Sequence, residues 1–247
     1  MKFRLLLPSF NEAENLAILI PSCISVLEKA PFEYDITVVD DGSTDETASI
    51  MSNCSKDRTV NLIRHSRNMG LGSALFTGFK ELAPECDDGD LICTLDADNT
   101  HPPQLFLPLT SKLSEGFDVV IASRFESGGE VIGLSLYRRM LSRAAAVVLS
   151  TVYPAVGVRD YTSGFRAYRA SCIREALDTF GDHFITRADF SCNAEILIKI
   201  LSIGAKAAEI PLSLRYDRKH GSSKLRLVRT SMGYLALLKS LRRLKRR

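Results

Sequence analysis

The chain reads as an α/β protein, a mainly parallel twisted sheet with helices on both faces, and three observations predict it. Short apolar runs alternate with amphipathic segments of helix length through the first half. Two of these runs end directly in acidic loops: Thr37-Val38-Val39 runs into Asp40-Asp41-Gly42-Ser43, and Leu91-Ile92-Cys93-Thr94-Leu95 into Asp96-Ala97-Asp98. No internal repeat or low-complexity tract points to another architecture.

Taken in order, the apolar runs predict strands at 3–7, 36–39, 60–63, 91–95 and 119–122, with helices between them at 12–29, 45–54, 71–82 and 103–114. Pro8 and Asn11-Glu12-Ala13-Glu14 interrupt the first run too early for a signal peptide. Ser43-Thr44-Asp45-Glu46 supplies an N-cap with acidic residues in the first helical turn. The second half is built differently. Its segment 134–152 is helical in pattern, yet Arg138, Arg139 and Arg143 lie beside Leu134, Leu136, Met140, Leu141, Val147, Val148 and Leu149. A strand at 164–168, helices at 172–179 and 189–201, a strand at 207–214 and a final helix at 226–244 complete the prediction.

At 247 residues the chain suits one large domain with an appendage. The net charge of +3 averages two unlike parts. From Arg218 onward there are 11 Lys or Arg and no acid, whereas residues 1–217 hold 21 basic and 29 acidic residues. We therefore expect one domain over 1–224, with an amphipathic interfacial segment at 132–153, and a basic amphipathic helix or tail at 225–247. The tail implies a polyanionic partner. Leu235, Leu237, Leu238 and Leu241 favour a membrane surface over nucleic acid. No transmembrane helix is expected, because the longest charge-free stretch, 144–158, falls short of the ~20 residues a span needs and contains Pro154 and Gly157. Cys23, Cys54, Cys86, Cys93, Cys172 and Cys192 form no Cys-x-x-Cys pair, so reduced thiols and no zinc site are expected.

In a parallel sheet, groups just past the carboxyl ends of the strands share one edge, where ligands bind. Four carboxylates gathered there, Asp40, Asp41, Asp96 and Asp98, would repel one another without a cation. Hard oxygen ligands suit Mg²⁺ or Mn²⁺, and such ions share their coordination with phosphates. A metal-assisted enzyme acting on a nucleotide diphosphate is the expectation.

Five local patterns then stand in register: Pro8-Ser9-Phe10-Asn11-Glu12; Asp40-Asp41-Gly42-Ser43-Thr44-Asp45; Asp96-Ala97-Asp98-Asn99-Thr100-His101-Pro102-Pro103; Asp160-Tyr161-Thr162-Ser163-Gly164-Phe165-Arg166; and Arg218-Lys219-His220-Gly221-Ser222-Ser223-Lys224. Together they resemble the family-2 glycosyltransferases, and within them the polyprenyl-phosphate sugar transferases typified by dolichol-phosphate mannose synthases. The resemblance implies a GT-A fold and an inverting transfer of a sugar, foremost mannose from GDP-mannose, to a polyprenyl or dolichyl phosphate. A UDP-sugar donor (glucose, N-acetylglucosamine or an aminoarabinose type) and a non-lipid acceptor are the alternatives. It implies that Asp96 and Asp98 hold the metal, and that Pro8, Phe10, Glu12, Asp41, Ala97 and Asp160 join them at the nucleotide-sugar. Arg218 and Lys224 are matched to the diphosphate, and Ser123, Arg124, Arg138 and Ser142 to the acceptor phosphate. Asp96, Asp98, Arg124, Arg218 and Lys224 are the candidate catalytic set.

Several positions carry a second reading. Asp40 is either a contact or a buried structural partner. Asp160 either binds a sugar hydroxyl or pairs with Arg166. Glu195, on an apolar helix, fits a buried salt bridge better than a sugar contact. The Arg67-Asn68-Met69-Gly70-Leu71-Gly72 stretch is expected to offer backbone N–H groups near the nucleotide, and His101 to brace the metal loop. Thr100 stands where relatives often place a Gln near the metal, leaving a third protein ligand in doubt. A phosphate acceptor needs no catalytic base, being mostly dianionic at neutral pH. The resemblance also implies peripheral attachment to the cytoplasmic face of a membrane, by the basic helix or through a small anchoring subunit.

Overall fold

The computed structural model describes residues 1–54, 59–218, 233, 234, 236–238 and 240. Nine strands and seven α-helices alternate in these residues: β1 (Lys2–Ser9), α1 (Ala13–Leu27), β2 (Glu33–Asp40), α2 (Thr47–Cys54), β3 (Val60–Arg64), α3 (Leu71–Leu82), β4 (Leu91–Thr94), α4 (Phe106–Ser114), β5 (Val119–Ser123), β6 (Glu130–Ile132), α5 (Leu136–Val152), β7 (Arg166–Arg169), α6 (Ala170–Phe180), α7 (Cys192–Ser202), β8 (Ala207–Pro211) and β9 (Ser213–Arg215). Seven strands form one sheet in the order β3-β2-β1-β4-β7-β5-β8, and β6 pairs with β9 in a second. Every neighbour pair in the main sheet is parallel except the two made by β7, which runs antiparallel between β4 and β5.

Both faces of the sheet are buried, which explains why its strands read as continuous apolar runs rather than alternating ones. Phe3, Leu5 and Leu7 of β1 point into one cluster with α1 and α4, contacting the layer of Leu16, Leu19, Phe106 and Leu109. Leu6 points into the opposite cluster, where Phe79 of α3 and Leu197 of α7 pack. The chain leaves β1 for β2 and β3 on one side and resumes with β4 on the other. That reversal opens a crevice at the carboxyl ends of β1 and β4, the switch point where doubly wound sheets bind ligands.

Three expectations change. The predicted strand at 207–214 is two strands: β8 ends at Pro211, which has no N–H to continue the ladder, and β9 turns away to pair with β6. The three-residue β6 was not anticipated, being too short to carry a pattern. Leu237, read as membrane-facing, has 0% exposure and belongs to the α3–α7 cluster, with Tyr234 and Leu238 packed against it. Leu235, Leu241 and most of the predicted helix at 226–244 lie outside the described residues. Among the described residues no helix is long and apolar enough to cross a membrane.

The start of α3 rests directly on the turn before α7. A Cβ on Gly72 would lie 1.8 Å from the Arg187 carbonyl oxygen, so no side chain fits there without moving backbone. Gly72→Ala should therefore cost about 1–3 kcal/mol through overpacking. Urea unfolding checks this as a lower midpoint at unchanged slope.

Candidate active site

The loops after β1 and β2 are stitched together by side chains. Asn11, at φ 51°, donates its N–H to Ser43 Oγ at 2.8 Å and accepts from the Thr44 N–H at 2.8 Å. Glu12, 8% exposed, donates its N–H to Thr47 Oγ1 at 3.0 Å, while its carboxylate accepts from Asn15 at 2.6 Å. Pro8 is buried and Phe10 half-buried in the same wall. Asp40 is fully buried, accepting from the Ser43 N–H at 2.9 Å and facing Arg64 Nε at 3.2 Å, so its structural reading holds.

Asp41 works inward as well. Its Oδ1 meets His65 Nδ1 at 2.7 Å and the Met69 N–H at 2.9 Å, and its Oδ2 accepts from the Gly70 N–H at 2.7 Å. The backbone donors expected at Met69 and Gly70 are therefore engaged by this carboxylate. His65 is oriented from its other side by Thr77 Oγ1 at 3.0 Å. At 3% exposure Asp41 fixes the turn that precedes α3, and any contact it makes with a base is made from that fixed position.

Past β4, Asp96 and Asp98 are half-exposed and flank the buried Ala97. Thr100 holds Asp98: its hydroxyl donates to Oδ1 at 2.6 Å and its N–H to the same oxygen at 3.2 Å. Thr100 thus fixes one oxygen of Asp98 from two donors. Asn99 takes φ 60° to close this turn. His101 is buried beneath it, 3.4 Å from Thr100 Oγ1 and edge-on to Phe165, which is the bracing role expected of it. Opposite, a Cβ on Gly164 would come within 2.9 Å of Asp96 Oδ1, so the glycine leaves the space that this carboxylate occupies.

No group of three or more His, Cys, Asp or Glu positioned to hold a metal occurs among the described residues. A pair of half-exposed carboxylates suits Mg²⁺ or Mn²⁺, which take only one or two protein carboxylates and complete their shell with phosphate oxygens and water. The donor set fits such an ion shared with a diphosphate. Arg215 N–H donates to Thr100 O at 2.9 Å, which ties β9 to the acidic loop. Arg218, exposed, follows three residues later, while Lys224 lies outside the described residues.

The second centre is Arg124, at the end of β5. Its Nε donates to Asp160 Oδ2 at 2.8 Å and its Nη2 to Oδ1 at 2.7 Å, a bidentate pair with Asp160 at 0% exposure. Nη2 also reaches Thr162 Oγ1 at 2.5 Å, and Nη1 donates to Ser142 Oγ on α5 at 3.2 Å. Burial pushes the Asp160 carboxyl up, but the Arg124 guanidinium outweighs it and holds the pKa at about 2. Burial likewise pulls Arg124 down, and Asp160 overcomes that to hold it above its ordinary value. Tyr234 brings the C-terminal segment into electrostatic reach of this pair, and burial pushes its phenol up.

Two assignments change here. Asp160 pairs with Arg124 and not with Arg166, and with 0% exposure it is a support for Arg124 rather than a sugar contact. Arg166, equally buried, donates instead to Asn193 O at 2.6 Å and Tyr161 O at 2.8 Å. Ser123 has 0% exposure and its hydroxyl accepts from the Phe125 N–H at 3.1 Å, so it does not face an acceptor. Arg138 and Ser142 are four residues apart on α5, on the face that continues through buried Ala146 and Leu149. The opposite face is open: Leu136, Tyr137, Met140, Val147 and Val148 are 71, 68, 65, 58 and 46% exposed.

Glu195 takes the structural role. It pairs with Lys199 one turn on at 2.6 Å and accepts from the Thr186 hydroxyl at 2.6 Å and the Thr186 and Arg187 N–H groups at 2.9 Å each. This fixes the turn on which Gly72 rests.

A sheet with its crevice at the switch point and an acidic loop past β4 is the architecture of the GT-A fold. The chain belongs to glycosyl transferase family 2, whose family model matches residues 5–177. It is 33% identical over 228 residues to a dolichol-phosphate mannosyltransferase of Pyrococcus furiosus, covering 92% of this chain and 60% of that protein. It is also 33% identical over 231 residues to an undecaprenyl-phosphate 4-deoxy-4-formamido-L-arabinose transferase of an Enterobacter species, covering 92% of this chain and 64% of that one. The chain thus spans less than two thirds of the length of these curated relatives. Among solved structures it superimposes on glucosyl-3-phosphoglycerate synthase of Mycobacterium tuberculosis with a TM-score of 0.69 at 21% identity, covering 97% of this chain and 78% of that one.

Asp160→Asn should destabilise the protein by about 3–5 kcal/mol at neutral pH, because it leaves Arg124 buried beside a neutral partner. A carboxyl lowered by folding stabilises above its unfolded value and loses that contribution as the pH falls through the folded one. The wild type should therefore lose about 2 kcal/mol as the pH falls from about 4 to about 2, and the variant should not. Denaturant midpoints across that range check both statements.

Proposed function

We propose that this protein transfers a sugar from a nucleotide diphosphate to a polyprenyl phosphate by one in-line displacement with inversion. The observation that carries the acceptor is Arg124 donating to Ser142 beneath α5, whose outer face exposes Leu136, Tyr137, Met140, Val147 and Val148. Guanidinium charge next to an apolar surface suits a phosphate at the end of a hydrocarbon chain, with α5 lying at a lipid surface. Both curated relatives are named for transfer involving a polyprenyl phosphate, which supports the same acceptor. GDP-mannose is the first donor to test. The formamido-arabinose relatives favour an arabinose-type sugar as the second, tested as its UDP derivative.

In this reading the walls formed by Pro8, Phe10, Glu12 and Asp41 receive the base and ribose. Asp96 and Asp98 would hold Mg²⁺ or Mn²⁺. A bound ion would supply Lewis-acid stabilisation of the departing diphosphate. Thr100 keeps Asp98 turned outward for that purpose, and Arg218 and Lys224 add positive charge at the leaving group. Arg124 and Arg138 orient the acceptor phosphate. No residue is needed as a base, since the acceptor arrives already ionised at neutral pH.

The direct test incubates the protein with Mn²⁺, a polyprenyl phosphate and labelled GDP-mannose or UDP-sugar, with and without chelator. Chelator-sensitive label in the organic phase is the expected result, and Asp98→Ala should abolish it while leaving the circular dichroism spectrum unchanged. Label insensitive to chelator would remove the metal; no label with either donor would remove the lipid acceptor. Thr100→Val should raise the Mn²⁺ concentration for half-maximal rate about tenfold, as expected for a group that orients a metal ligand. Saturating Mn²⁺ should restore most of the rate.

A further inference from the structure

Beside Arg124 lies a cleft of about 490 Å³ between α5 and the loop after β5, whose walls include Arg143, Ala146 and Val147 on one side and Glu126 and Arg159 on the other. Its charge is unbalanced. Asp160 neutralises Arg124, and Glu126 faces Arg159 Nη1 at 3.5 Å. Among the described residues Arg143 has no ion-pair partner within 4.0 Å. The Arg159–Glu126 pair is weak by position, with side-chain exposures of 62 and 29%, so a denser anion can displace Glu126. Ala146 and Val147 give the α5 wall an apolar strip next to the guanidinium groups.

These features suit one occupant: a phosphate monoester carrying a hydrocarbon chain. A phosphate dianion offers three acceptor oxygens to forked donors, and the apolar strip offers the first carbons of the chain a dry contact. We propose that Arg143 and Arg159 form a phosphate subsite for a prenyl-type monophosphate, at the outer end of the path that leads to Arg124. The proposal rests on the acceptor assigned above and adds two residues outside the Arg124–Arg138–Ser142 set. The backbone N–H of Arg159 is held by Glu209 Oε1 at 2.7 Å, so this guanidinium projects from a fixed anchor. In the same way Glu126 is the natural competitor, and its charge opposes the ligand.

Calorimetry with farnesyl phosphate in the absence of donor tests the subsite, with farnesol and inorganic phosphate as comparison ligands. The wild type should bind farnesyl phosphate, farnesol should not bind, and inorganic phosphate should bind more weakly. Replacing both arginines (R143A with R159A) should weaken farnesyl phosphate about tenfold or more, with the thermal midpoint unchanged because both side chains are exposed. Glu126→Gln should strengthen it severalfold. Equal affinity in the double variant and the wild type, or no binding by the wild type, would overturn the subsite. Inorganic phosphate binding as tightly as farnesyl phosphate would overturn the prenyl occupant. Transfer by the wild type to polyprenyl phosphate with an unchanged acceptor KM in the double variant would remove the subsite and keep the transferase. Arginine-dependent farnesyl phosphate binding without any transfer would do the reverse.

Discussion

Much of the second half of this protein is arranged around the buried Arg124–Asp160 pair. Removing two charges from water costs several kcal/mol per ion, and their attraction offsets this only with near-complete hydrogen bonding. The surroundings supply that. Asp160 accepts from the Thr162 and Ser163 N–H groups at 3.1 and 3.0 Å, and Ser163 Oγ in turn donates to Ala122 O of β5 at 2.7 Å. Glu209 of β8 accepts from the Arg159 and Asp160 N–H groups at 2.7 and 2.6 Å, burial keeping its own carboxyl above the usual range. Two strands and a loop thus converge on one carboxylate. An apolar substitute of equal volume would stabilise such a place as well, so stability alone does not explain an arginine there. What it does provide is a guanidinium whose remaining Nη1 points to Ser142 in a fixed direction.

Buried carboxylates also set the turns around α3. Asp41 binds the turn before α3, α3 rests on the turn before α7, and Glu195 with Lys199 fixes that turn from the other side. Carboxylates that face inward set the loops, whereas Asp96 and Asp98, half-exposed, are the pair proposed above for ligand chemistry. Burial separates the two roles: Asp40 and Asp41 are 0 and 3% exposed, and the later pair is half-exposed.

The fold was legible because a sheet covered on both faces produces apolar runs that stop where the strands stop. The acidic pair past β4 was legible for the same reason, since strand ends fix the ligand edge. Individual roles were less so. Asp40-Asp41 and Asp96-Ala97-Asp98 look alike in sequence, and only packing tells which oxygens turn inward. Ser123 and Asp160 sit in recognisable motifs yet are fully buried, a property set by β8 and the loop at 160–163 rather than by their neighbours in sequence. One signal was available and unused. Asp98-Asn99-Thr100, Asp160-Tyr161-Thr162 and Asp189-Phe190-Ser191 share an Asp-x-Ser/Thr spacing, and in each the hydroxyl and N–H two residues on donate to the same Oδ1. In these three turns the spacing goes with a carboxylate that has one oxygen already committed, whereas Asp41-Gly42-Ser43 has the spacing without the contact, its Ser43 N–H donating to Asp40 instead. Leu237 escaped for another reason: a leucine near basic residues reads as interfacial until a core claims it.

The short ladder of β6 and β9 has a thermodynamic meaning of its own. The Arg215 N–H on Thr100 O connects the acidic loop to the strand that leads into Arg218, so the two stretches are one mechanical unit. Any occupant of the acidic pair that quiets Thr100 also quiets the backbone carrying Arg218, and an occupant of Arg218 does the same in return. Linkage makes such an influence equal in both directions. In the function proposed above, an ion at Asp96 and Asp98 and a diphosphate at Arg218, more than a hundred positions away in the chain, would then help each other to bind through a single shared amide.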